Sequence, residues 1–115
     1  MYKSAYAEII ETGGAATRRR EREALERSID LLKQARAVGF RSPRGAEAVF
    51  YTNRVWSFMI EDLSLADNDL PEDVRANLIS IGIYVIRQLD AVRSGQEDSA
   101  DDIIEITGII KDGLA

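Results

Sequence analysis

The chain has 115 residues, 45% of them apolar and 30% charged, enough for one modest hydrophobic core and too apolar for a disordered segment. It contains no cysteine and no histidine, which excludes disulfides, thiol chemistry and the common zinc sites. The net charge of −5 is uneven: residues 1–58 hold 11 Lys/Arg against 7 Asp/Glu, while residues 59–115 hold 4 against 13. That acidic total argues against general nucleic-acid affinity, and the +4/−9 split suits contacts with proteins of either sign.

The N-terminal stretch MYKSAYAEIIE meets charge at Lys3, Glu8 and Glu11, which the apolar centre of a signal peptide would not tolerate. A first short helix is expected over about residues 4–11, closed by Gly13-Gly14. A second is expected from Thr17 to Val38. Its wheel places Ala24, Leu25, Ser28, Ile29, Leu31, Leu32, Ala35 and Val38 on one face and charges on the other. Gly39 stops it, and Ser42-Pro43 blocks continuation.

A third helix covers about residues 44–65 and ends in LADNDLPED. There Asp69 and Glu72 have capping-box spacing around Pro71. The fourth runs from about Leu70 to Arg93, with Gly95 as its stop. Ser99 and Asp102 open a fifth, carrying Ile103, Ile106, Thr107, Ile110 and Leu114 and ending at Gly113.

The fourth predicted helix has a wide apolar arc. Val74, Leu78, Ile81, Gly82, Val85, Leu89 and Val92 form one stripe, which Ile79, Ile83 and Ile86 widen past half the circumference. Such a helix is central in its bundle or lends its second stripe to a partner, a homodimer included. The apolar run ANLISIGIYVI (76–86) is too short to span a bilayer, which needs roughly 20 residues. The expected fold is all-α: a single domain over residues 1–115, built as a small bundle of about five helices, cytoplasmic and without membrane contact.

The composition offers little catalytic chemistry: carboxylates, lysines, serines and tyrosines without a histidine or cysteine to activate them. ETGGAAT lacks the Lys-Ser/Thr of a phosphate loop, and DNDLPED (67–73) lacks the glycine and terminal glutamate of a calcium loop. No enzyme activity, cofactor or metal is expected. TRRRERE (17–23) offers Arg18, Arg19, Arg20 and Arg22 to RNA or another anionic partner from the first turn of a helix, where cations oppose the macrodipole. The alternative is that Arg19–Glu23 and Arg22–Glu26 pair at one-turn spacing. No aromatics interleave the run, which argues against RNA.

In VFYTNRVWSFMIEDL (49–63), Val49, Asn53, Trp56, Ile60 and Leu63 fall within about a third of the helical wheel. Asn53 is therefore expected on the core face, as a satisfied amide that fixes register. Arg54 lies on the flank, while Tyr51, Val55 and Phe58 point away from the core beside Asp62. These exposed positions are candidates for docking a partner helix, Tyr51, Arg54, Val55, Phe58 and Asp62 first, with Ile79, Ile83 and Ile86 as a second surface.

AYAEIIE, YTNRVWSFMIEDL, LPEDVRANLISIGIYVIR and IIEITGIIKDGL resemble, in order and over nearly the whole chain, the flagellar biosynthesis regulator FlaF family. The arginine run is not part of that pattern. The resemblance implies a non-enzymatic cytoplasmic protein that promotes flagellin production and export beside the regulator FlbT. Binding of unassembled flagellin as a secretion chaperone is the leading implied mode. Post-transcriptional regulation is the other; read on its own charge and not from the resemblance, the basic run is then the candidate contact for flagellin mRNA or for FlbT.

Overall fold

The computed structural model describes the backbone of residues 2–114 and the side chains of residues 16–114. The described chain is four helices without a strand: α1 (Tyr2–Val38), α2 (Pro43–Leu63), α3 (Glu72–Ser94) and α4 (Asp101–Gly113). The all-α fold is as expected, but the first two predicted helices are one. A glycine inside a helix costs only about 1 kcal/mol relative to alanine. Gly13-Gly14 is followed at once by Ala15, Ala16 and a run of arginine and glutamate, so helix formers outweigh the local weakness. At 1.5 Å per residue, 37 residues span roughly 55 Å. That matches the 53 Å long axis of the molecule, so α1 sets its length.

The helix ends follow local chemistry. The α1 helix stops at Gly39, whose φ of +97° only glycine adopts without strain, with its N–H donating to the Ala35 carbonyl at 2.7 Å. Ser42 caps α2, its hydroxyl accepting from the Gly45 N–H at 3.1 Å, and Pro43 occupies the first turn. Gly95 (φ +83°) closes α3, and the Gln96 N–H reaches back to the Ala91 carbonyl at 2.9 Å.

The expected capping box does not form, and α3 starts after Pro71 with no side-chain cap. Asp69 instead pairs with Arg18 of α1, and Asn68 holds the turn. The Asn68 Oδ1 accepts from the Leu70 N–H at 3.0 Å, and its amide donates to the Asp62 carboxylate at 3.2 Å.

The helix at the centre is α2. It packs on α1 and on α3, while α4 lies mainly on α1 and barely touches α3. Buried α2 residues are Gly45, Ala48, Val49, Thr52, Trp56, Met59 and Leu63, whereas α3 buries only Gly82, Val85, Leu89 and Val92. The wide apolar arc of α3 therefore does not make it central. Its first half leaves Val74 exposed and Leu78 half-buried, and Ile83 is 41% exposed. Leu25, Leu32 and Ala35 of α1 with Ala100, Ile103 and Leu114 complete the core around Trp56, which is wholly buried.

Among the described residues three polar side chains, Ser28, Thr52 and Thr107, are buried, and each is hydrogen-bonded. Ser28 and Thr52 donate to carbonyls one turn back, at 3.0 and 2.8 Å. The third, Thr107, accepts the Trp56 indole N–H. No described helix is long and apolar enough to cross a membrane.

Candidate functional site

Tyr51, Arg54, Val55 and Phe58 recur at i, i+3, i+4 and i+7, so they form one continuous strip on α2, a step round from the buried strip of Thr52, Trp56 and Met59. Across from them Thr17, Arg20, Glu21 and Ala24 repeat the same spacing on α1. The two strips, with Phe50 and Met59, line one groove of about 660 Å³. Its most prominent ring is Phe58, 70% exposed; Phe50 is 63% exposed and Tyr51 half-buried.

Guanidinium groups stack on two of these rings. The Arg27 guanidinium carbon lies 5.4 Å from the Tyr51 ring centre, and that of Arg54 lies 5.9 Å from Phe50. Neither arginine forms an ion pair with a carboxylate among the described residues, so the groove carries cationic charge beside aromatic faces.

Glu21 is the carboxyl group of the lining. Burial, followed by the charge and hydrogen bonding of Asp62, raises its carboxyl from 4.5 to about 7; Asp69 adds to the shift and Arg18 opposes it. Asp62 is not part of the groove lining; it stands against Glu21 and accepts from the Asn68 amide.

The other sequence candidates separate from this site. Ile79 and Ile86 are half-buried on α3, with Ile86 packed against the core, and neither they nor Ile83 line the groove. Asn53 is not in the core. It is half-buried, accepts the Ser57 hydroxyl at 3.3 Å and borders a cleft of about 450 Å³ between α2 and α3 with Phe50, Leu89 and Arg93. Thr52 takes the buried position because its hydroxyl is satisfied by its own helix, whereas a buried amide needs several outside partners.

The arginine run does not act as a unit. It lies well inside α1, so no helix-end penalty applies. Arg18 holds Asp69, which lowers that carboxyl below its usual range, and Arg22 donates to the Leu114 carbonyl at 3.5 Å. Neither one-turn pair, Arg19–Glu23 or Arg22–Glu26, is formed. Arg20 alone of the four lines the groove. The α2 strip is legible in the sequence by its spacing, whereas which face of α1 stands opposite it is set by tertiary packing.

Compared with protein families, the chain matches the model for the flagellar protein FlaF over residues 2–114. The chain belongs to the FlaF family. The match takes in all four helices almost end to end, so the groove and the core beneath it both lie within the FlaF region. No curated protein and no solved structure matches the chain significantly. Of the residues that carry the FlaF resemblance, Trp56 is the centre of the core, Pro71 precedes α3, and Gly82 lies against Trp56 and Ile60.

Proposed function

We propose that this FlaF-family chain is a non-catalytic cytoplasmic binding protein that holds unassembled flagellin and so promotes flagellin production and export. An amphipathic flagellin helix lies in the α1/α2 groove. The observation that carries this reading is Phe58, a large apolar ring 70% exposed in a groove where Tyr51, Val55 and Arg54 stand beside it. Aromatic and arginine side chains around a concave apolar floor are the usual anchors of helix-in-groove recognition. Covering the apolar face of a flagellin helix keeps it from premature association, and the flanking charges select among helices.

Calorimetry of the purified chain with monomeric flagellin tests the reading. The expected result is a saturable complex weakened by Phe58→Ser and by Tyr51→Ala; absence of a complex at micromolar concentrations sinks it. The same titration against FlbT and against flagellin leader RNA tests the other two partners. The RNA reading is the weaker, because Arg18 and Arg22 are engaged within the chain.

A further inference from the structure

A second groove opens on a different pair of helices. Ser80, Ile81 and Tyr84 of α3 and Ile106, Ile109 and Ile110 of α4 line a cleft of about 360 Å³, in the place where these two helices fail to pack on one another. Ile109 is 63% exposed and Tyr84 43%. An isoleucine standing this far out between two helices is not explained by the core of the chain itself.

The charge around it has one dominant sign. Asp102, Glu105, Ile109 and Asp112 follow each other at three- and four-residue steps along α4, so exposed carboxylates flank Ile109 on its own helix. Asp102 also accepts the Tyr84 hydroxyl at 3.0 Å, which fixes that ring at the cleft. The nearby cations are Arg87, one turn further along α3, and Lys111, which stands 3.6 Å from Asp112. This is the reverse of the α1/α2 groove, where Arg20, Arg27 and Arg54 surround the aromatic rings.

We propose that the α3/α4 cleft is a second docking surface, whose occupant is a basic amphipathic helix of a partner protein. The apolar stripe of that helix covers Ile109 and Tyr84, and its Lys or Arg flanks meet Asp102, Glu105 and Asp112. An anionic membrane is a poor fit, since exposed carboxylates flank Ile109 along α4. A second copy of the chain is a poor fit too. Where it sets cations beside apolar rings, at Arg20, Arg27 and Arg54 with Phe50 and Phe58, it presents a groove and not a projecting helix stripe, and two concavities do not fill one another. The inference is independent of what fills the α1/α2 groove, so the chain would join two partners of opposite flank charge.

The test is equilibrium binding of the full chain to two synthetic helical peptides with one Leu/Ile stripe, flanked by Lys in one and by Glu in the other. Phosphatidylserine-containing vesicles and analytical ultracentrifugation complete it. The Lys-flanked peptide is expected to bind more tightly, with an affinity that falls as salt rises. Ile109→Ser should weaken it by about tenfold or more, the equivalent of burying one isoleucine side chain. Glu105→Lys, at an exposed position outside the core, should shift preference toward the Glu-flanked peptide. Phe58→Ser, in the other groove, should leave the affinity for the Lys-flanked peptide unchanged and weaken only the Glu-flanked one. Equal affinity for both peptides in the Phe58→Ser chain, no binding of the Lys-flanked peptide, or its indifference to both Ile109→Ser and Glu105→Lys overturns the proposal. So does a dimer, or vesicle binding, that Ile109→Ser abolishes.

Discussion

The indole N–H of Trp56 donates to the hydroxyl of Thr107 at 3.4 Å, and both side chains are wholly buried. Among the described residues this is the one side-chain hydrogen bond between the central helix α2 and α4, which rests mainly on α1. Thr107→Val keeps the shape and removes the acceptor, leaving a buried donor unsatisfied. The expected loss is about 1–2 kcal/mol in chemical denaturation, the lower part of the usual range because the bond is long. A loss below about 0.5 kcal/mol would show that the indole needs no acceptor.

Gly45 and Gly108 should respond oppositely to alanine. A Cβ on Gly45 would sit 2.4 Å from the backbone of Phe40 and from the Gly39 carbonyl, atoms that cannot turn aside. Gly45→Ala is expected to destabilise by about 1–3 kcal/mol despite the better helix propensity of alanine. A Cβ on Gly108 meets only the Ile29 Cδ1, at 3.9 Å, so Gly108→Ala should stabilise by roughly 0.5–1 kcal/mol. Thermal melts of the two variants beside the parent decide both signs.

Glu21 makes stability depend on pH in the direction opposite to an ordinary paired carboxylate. Its folded-state value near 7 lies above the ordinary 4.5, so the native state holds more protons than the unfolded state between those limits. The contribution is fully present below 4.5 and is lost as pH rises through 7. Half-exposure screens the effect, so about 1 kcal/mol is expected rather than the full equivalent of the shift. Glu21→Gln, which mimics the neutral acid, should match the parent near pH 4.5 and exceed it by about 1 kcal/mol at pH 8. Parallel urea titrations at the two pH values measure this difference, and a constant offset would place the effect elsewhere.

Periodicity and turn residues carry most of the helix boundaries. Gly39, Ser42-Pro43, Gly95 and Gly113 mark ends by chemistry that acts within a few residues. Gly13-Gly14 misled because a glycine pair weakens a helix without obliging it to end, and the neighbouring residues decide. Asn53 misled because a wheel locates an apolar arc only to within a residue, while the directions of α1 and α3 choose between adjacent positions. Tyr51, Val55 and Phe58 were recognisable as a surface strip from α2 alone. The wall of Thr17, Arg20 and Glu21 opposite them was not, since which faces of two helices meet is set by tertiary packing.

Phe58 and Met59 are adjacent, yet they should separate binding from stability. Met59 is 2% exposed in the core, so Met59→Ala is expected to cost about 2–5 kcal/mol. Phe58 is 70% exposed, so Phe58→Ser should leave the unfolding free energy within about 0.5 kcal/mol of the parent. Its flagellin affinity should nevertheless fall by about tenfold or more, as for an anchor at the centre of a docking surface. The comparison is informative because the two residues lie on different strips of one helix: a general loss of structure would follow Met59, whereas occupancy of the groove follows Phe58. Should Phe58→Ser retain full affinity for flagellin while remaining folded, the contact surface lies off the α1/α2 groove, and the aromatic strip of α2 has another role.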